Sequence, residues 1–398
     1  MRKVFLLPGF LLLTLLAACG SCDRVTGVGG AAPFFGPAEG VPVVRVALRR
    51  NAEFAPIGVD GPYSVTLAEN SKTVSQGASL SSVEVRFAGS YFEIGPARIK
   101  SPHIIITPAT DGSAVVGEKH YRGILHLYGE EGKITVVNHV NIEHYLASVV
   151  PAEMKISWPE AALQAQAVAA RTYALWRSKN ARKHKKKYDL TSGSDSQVYA
   201  GLDKESDKSR KVVVDTAGTV LTYEGEIFPA YYHSTCGGFT ADAHVIFGGK
   251  EIPCLTGVPC GNCRESSVYE WDFNVNQKEL AKVVSDHAGG DIGKIVEIQL
   301  VEPDAGQRPK EVVLKGEKGE IRVSTPSFRR SIGTRRMKSI SFTVSKLGEF
   351  FEIHGSGWGH GVGMCQWGAA GMADPMLGFT AQEILQHYYQ GAQLQRLY

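Results

Sequence analysis

The chain has 398 residues, enough to bury a large core. Lys and Arg number 43 against 40 Asp and Glu, a formal net charge of +3, so no chain-wide basic field exists to hold nucleic acid.

Arg2 and Lys3 precede an apolar run over residues 4–16, too short to span a bilayer with ease, which ends in Leu16-Ala17-Ala18-Cys19. A charged start, an apolar middle and small residues before a cleavage point predict a secretory signal over residues 1–18. Leu-Ala-Ala-Cys also resembles a bacterial lipobox. That resemblance makes Cys19 the lipidated first residue of an exported lipoprotein, held to a membrane by its acyl chains. Gly20 after the cysteine, with no Asp there, favours the periplasmic face of the outer membrane where the cell has one. Residues 19–40, rich in Gly, Ala and Pro, read as a lipid-attached flexible tether, and Cys22 within it is given no role. No other run is long and apolar enough to cross a bilayer.

From 41 to 137 the pattern has period two, as in Val83-Glu84-Val85-Arg86-Phe87, with Gly, Asn and Ser between the runs. This predicts a mostly antiparallel β-rich region that carries no chemistry. The pattern then changes. Asn141 suits the N-cap of a short helix with apolar Ile142, Tyr145, Leu146, Val149 and Val150, and Pro151, which lacks an N–H, should stop it. Ser157 and Glu160 have capping-box spacing, Pro159 suits a first turn, and residues 161–176 are good helix formers, so a second helix should start near Trp158. Glu153 then sits on a loop between two helices. Met154, Ile156 and Trp158 surround it with apolar bulk that raises a carboxyl pKa toward a general acid's range. By spacing alone, a solvated loop acid is the commoner outcome.

Residues 182–187, Arg-Lys-His-Lys-Lys-Lys, read first as a solvated helix end, and second as a local patch for anionic glycan or lipid headgroups. Four of the seven cysteines follow: Cys236, Cys254, Cys260 and Cys263. A C-x-x-C pair with two more ligands is zinc-site composition, with His233 as an alternative ligand. Export favours disulfides instead. The tiny loop that a Cys260–Cys263 bond would close tilts the reading to metal, and such a zinc would be structural, bracing the loop that carries His233 and Ser234. Cys365 lies outside this set and has no paired base to make it a nucleophile. Residues 268–351 read as scaffold. In the Gly-rich stretch 354–363 and just beyond it, His360, Gln366, Trp358 and Trp367 are groups that line sugar clefts, and a closing helix follows near 381–389.

Three stretches resemble the SpoIID/LytB family: Pro151-Ala152-Glu153-Met154 with residues 164–174, Tyr232-His233-Ser234-Thr235-Cys236-Gly237-Gly238, and the run 357–369 beginning Gly357-Trp358-Gly359-His360. The segment Asp195-Ser196-Gln197-Val198-Tyr199 resembles another cleft segment of that family. The resemblance implies an α+β fold, a mostly antiparallel scaffold with few helices, with the catalytic domain over 138–398. It implies peptidoglycan glycan strands, stripped of peptides, as substrate and Glu153 as the single acid/base of a lytic transglycosylase. Glycoside hydrolases instead flank the bond with two carboxylates, and only one candidate is visible around Glu153. Arg171, Gln197, Tyr199, Ser234, His360 and Gln366 become substrate-positioning residues. The competing reading is a non-catalytic, wall-binding enhancer of an amidase. A zinc hydrolase is disfavoured, because a closed cysteine shell leaves no position for water.

Overall fold

The computed structural model describes residues 40–398, so the expected signal segment, Cys19 and nearly all of the tether lie outside the described residues, as do the side chains of His287 and Ala288. Period-two patterning builds two antiparallel layers. One has seven strands in the order Leu190–Thr191, Val43–Ala52, Lys133–Asn141, Ile124–Glu130, His103–Pro108, Tyr63–Leu67 and Thr73–Gly77. All its pairings are antiparallel except that of Leu190–Thr191 with Val43–Ala52. The other has six strands and is antiparallel throughout. Their apolar faces meet: Val46, Leu125 and Val136 from the first share one core with Ile57, Val85 and Phe92 from the second.

The expected domain boundary after residue 137 falls inside the strand Lys133–Asn141, which leads directly into helix α1, Ile142–Glu153. Asn141 caps α1 as expected, its Oδ1 accepting from Glu143 N at 2.8 Å. Pro151 does not stop the helix. α1 runs through it to Glu153, and Met154 N still donates to the Val150 carbonyl at 3.0 Å. The proline forgoes one hydrogen bond and crowds the preceding turn, together about 3 kcal/mol. Burying Val149, Val150 and Met154 returns about 1.5–3 kcal/mol each, so packing wins. Glu153 is therefore the last residue of a helix rather than part of a free loop.

Helix α2 spans Glu160–Lys183 with Pro159 as its N-cap and no side-chain cap, so the Ser157–Glu160 capping box does not form and the helix starts two residues later than expected. It also continues past Trp176 and takes up Arg182 and Lys183, whose charges suit the C-terminal end of the helix dipole. Its run of Ala162, Ala165, Ala167, Ala169, Ala170 and Ala174 is buried, because α2 threads the middle of the main core and small side chains let its neighbours approach.

The scaffold expected over 268–351 forms a lobe with its own core of Leu280, Ile295, Val312, Phe328, Phe351 and Ile353. It contains two three-stranded antiparallel sheets and the helices Gln277–Ala288 and Thr325–Ile332. Arg308 of this lobe, buried to 2 % exposure, reaches the main body and donates to the carbonyls of Cys236 at 2.9 Å and Phe239.

Candidate active site

The end of α1 places Glu153 in a cleft of about 340 Å³ that is also lined by Tyr173, Asp195, Val198, Tyr231, Tyr232, His233, Phe247 and His360. Rings form much of its wall. Tyr231 packs on Phe247 at 4.7 Å between centroids, and Phe247, nearly half exposed at the rim, lies 5.3 Å from the His360 ring. Flat apolar faces interleaved with polar tips suit pyranose rings.

The carboxyl of Glu153 is held from three sides. Val198 N–H donates to Oε1 at 2.8 Å, and the side chains of Gln366 and Tyr232 also bond to it. Burial pushes its pKa above the ordinary value, and the three hydrogen bonds oppose that rise without cancelling it. A relay stands behind it: Tyr145 Oη donates to Gln197 Oε1 at 3.0 Å, and Gln197 Nε2 donates to Tyr232 Oη at 3.0 Å. Tyr232 thus receives one hydrogen bond and is oriented to give its own to Glu153.

The two cleft histidines are neutral. Burial lowers the pKa of His360 to about 4 and that of His233 well below the ordinary value. His360 Nδ1 accepts from Val362 N–H at 3.0 Å, which leaves its other nitrogen protonated for the bond to the Tyr232 backbone. His233 Nδ1 lies 3.1 Å from the Val362 carbonyl and donates to it, so its Nε2 is a bare acceptor, buried and without a protein partner. Gly359, at φ +115°, allows this arrangement, since a Cβ there would come within 2.9 Å of the His233 Cβ.

The structure sorts the expected site residues. Glu153, His360 and Gln366 come together. Gln197 and Tyr199 do not face the cleft: both are buried, Gln197 in the relay and Tyr199 donating to Asn138 Oδ1 at 3.0 Å. From Ser196 on, their segment alternates sides, so Ser196 and Val198 line the cleft while Gln197 and Tyr199 are buried, and Asp195, in the turn before, lines the cleft too. Arg171 is corrected outright. It is fully buried and paired with fully buried Glu143 at 2.6 Å, which leaves it no reach to substrate or to Glu153. Ser234 Oγ pairs with the hydroxyl of Thr235 and is not part of the cleft lining. Nor are Trp358 and Trp367, the latter packed edge-on against Trp158 at 4.9 Å. Sequence reasoning missed Tyr173, Tyr231, Tyr232 and Phe247, and it missed Gln166, whose Oε1 accepts from Gln366 Nε2 at 3.4 Å. Gln166 and Tyr232 stand inside the family-like stretches, which is the signal that could have found them. Asp195 is a second carboxylate in the cleft, where only one was expected. It accepts from Thr191 Oγ1 at 2.7 Å and lies 3.7 Å from Arg50.

The cysteines regroup as well. Cys236, Cys260, Cys263 and Cys365 form one buried cluster whose sulfurs all lie within 4.8 Å of one another. Cys254 is buried outside it, and His233, a residue of the cleft lining, is not part of it either. The expected set therefore exchanges Cys254 for Cys365. The strand Met364–Cys365 pairs in parallel with Tyr232–His233, which brings position 365 back beside Cys236.

A family profile described as stage II sporulation protein matches residues 130–223, which hold Glu153, Asp195 and Val198. Stage II sporulation protein D of Bacillus amyloliquefaciens is 30 % identical over 273 residues, covering 65 % of this chain and 75 % of that protein. The chain belongs to the SpoIID/LytB family. The amidase enhancer of Bacillus subtilis is 28 % identical over 300 residues, covering 63 % of this chain and 40 % of the enhancer. An uncharacterized protein of Brachyspira hyodysenteriae is 32 % identical over 359 residues, 88 % of this chain and 92 % of its own length. A domain of unknown function matches residues 259–363, a span that holds most of the second lobe and the Gly-rich stretch. Tyr231, Tyr232, Phe247 and His360 of the cleft, and Gln366, which bonds Glu153, come from segments that this family profile does not cover.

Proposed function

We propose that the protein is a lytic transglycosylase acting on peptidoglycan glycan strands that lack stem peptides, with Glu153 as its acid and then its base. A cell-wall role follows from family membership. The observation that carries the finer reading is a half-buried carboxyl with a raised pKa, set in a ring-walled cleft and oriented by Tyr232, Gln366 and Val198 N–H. In the reaction Glu153 gives its proton to the glycosidic oxygen as the C–O bond breaks. The resulting carboxylate takes a proton from the muramic 6-hydroxyl, whose oxygen closes on C1 to give a 1,6-anhydro end without consuming water. The deciding experiment incubates the protein with purified glycan strands, peptide-bearing and denuded, and identifies the new ends by mass spectrometry. Anhydromuramic ends support the reading, whereas reducing ends carrying oxygen from labelled water defeat it.

Asp195 favours a second reading, two-carboxylate hydrolysis, because it shares the cleft. Its carboxylate is engaged by Thr191 Oγ1 at 2.7 Å and lies 3.7 Å from Arg50, which favours a supporting role over that of the proton donor. Asp195→Asn is accordingly expected to lower turnover less than about tenfold and to leave the ends anhydro, measured in the same assay; loss as deep as that of the Glu153 variants would move the protein to hydrolysis. The printed name of the Bacillus subtilis relative supports a third reading, a wall-binding partner of a cell-wall amidase. Under that reading strands bind and no bond is cut.

We also propose that Cys19 is lipidated and anchors the exported protein to a membrane, in an outer-membrane cell on its periplasmic face. Two signals usually secure stable anchoring, which a multiply acylated cysteine supplies. Cys19→Ser is expected to shift the protein from the detergent phase to the aqueous phase on phase partitioning; an unchanged distribution would remove the anchor.

A further inference from the structure

We infer that Cys236, Cys260, Cys263 and Cys365 together hold one zinc ion, and that this ion fixes the back of the cleft. The four thiols come from three separate stretches of chain and are all buried. Four sulfurs around a tetrahedral zinc, at about 2.3 Å each, lie about 3.8 Å apart. Cys236 Sγ and Cys263 Sγ are 3.5 Å apart, and no pair in the cluster exceeds 4.8 Å. That is too far for sulfur–sulfur bonds and near the separation a shared ion imposes. All four donors are sulfur, which selects a soft ion and closes the shell, so the ion is structural.

Several hydrogen-bond donors face the sulfurs. Cys365 Sγ accepts from the backbone N–H groups of Cys236 and Gly368, each at 3.3 Å, and the Tyr388 hydroxyl lies 3.1 Å from Cys260 Sγ. Four thiolates and one divalent cation leave a net charge of −2 in a dry site, which is costly without a counter-charge. Arg308 supplies one: its guanidinium is buried and donates to the Cys236 carbonyl at 2.9 Å. Gly368 completes the fit. A Cβ there would lie 2.6 Å from Cys260 Sγ, so the helix that begins at Gln366 approaches the cluster only with glycine at this position.

The consequence for the cleft follows from chain distance. Cys365 immediately precedes Gln366, which bonds Glu153, and Cys236 stands three residues after His233, whose strand pairs with that of Cys365. An ion joining Cys236 and Cys365 to the Cys260–Cys263 turn therefore holds both cleft segments in register from behind.

The test is metal analysis of the purified full-length protein, with two serine variants. The parent and Cys254→Ser are each expected to carry one zinc per chain by inductively coupled plasma mass spectrometry, and Cys365→Ser to carry none. Cobalt taken up in place of zinc is expected to show the visible d–d bands of a tetrahedral thiolate site. Should Cys365→Ser fail to fold, the parent still decides: alkylation before and after chelation under denaturing conditions should reveal all four thiols protected only while metal is present. A parent free of stoichiometric metal, or one whose peptides show these cysteines joined as disulfides, overturns the inference. Zinc retained by Cys365→Ser but lost by Cys254→Ser would overturn this ligand set, and iron in place of zinc would overturn the structural role.

Discussion

Glu153→Gln and Glu153→Ala are expected to lower the release of anhydromuramic ends by about 10²–10⁴-fold, the range that general acid–base catalysis contributes. Both should still bind strands, since the ring wall is untouched. The glutamine variant carries a second expectation that separates chemistry from fold. Burial raises the Glu153 pKa above its ordinary value of 4.5, so between that value and the folded one the native state binds more protons than the unfolded state. Stability attributable to this group therefore falls as pH rises through that window, and its cost is fully present above it. Glu153→Gln removes the charge while keeping the size, so the variant should melt higher than the parent at pH 7.5, with the gap closing near pH 4. Calorimetry across that range reads the sign. A parent that melts higher at neutral pH would mean that the hydrogen bonds, not burial, dominate. Full retention of cleavage in both variants would remove Glu153 from the chemistry altogether.

Arg171→Ala is expected to destabilise the fold by about 3–5 kcal/mol, because it strands a buried carboxylate. Arg171 and Glu143 are both fully buried, and Glu143 Oε1 also accepts from Gly218 N–H at 3.2 Å and from the Tyr398 hydroxyl. Arg171 donates in addition to the Thr219 carbonyl at 3.0 Å. One ion pair thus ties α1, α2, the turn near 216–219 and the C-terminal residue together. Arg171→Met together with Glu143→Leu should recover much of the loss, since a shape-matched apolar pair avoids the desolvation cost. Urea unfolding of the single and double variants measures both. An Arg171→Ala protein of parental stability that fails only in catalysis would return Arg171 to the substrate-contacting role that the family-like motif suggests for it.

How much of this was legible beforehand differs by residue for physical reasons. Asn141 was readable as a cap because capping is local: the side chain meets an amide two residues away. Pro151 was misread for the complementary reason. Its local effect is real, and the burial that outweighs it comes from distant parts of the core. Gln197 and Tyr199 lie in the expected segment but face the core, because a short extended stretch with no apolar alternation gives no clue to its facing. Arg171 in a motif of buried alanines was itself a hint: an arginine that shares a helix with so many core positions needs a buried partner, and that partner lies 28 residues upstream.

The sequence by itself determined the α+β class, the mostly antiparallel β-rich region and the presence of two helices near α1 and α2, since these rest on periodicity and caps; Glu153 was singled out by a contiguous family-like motif. The tertiary structure alone decided which groups share a space: Tyr232, Gln366 and Val198 around Glu153, Asp195 in the same cleft, and Cys365 rather than Cys254 beside the C-x-x-C turn. Those groupings join residues up to 213 positions apart, as Glu153 and Gln366 are, and are made by strand pairing and helix packing between remote segments. Periodicity records the face a residue turns to the core, but not which distant residue meets it there.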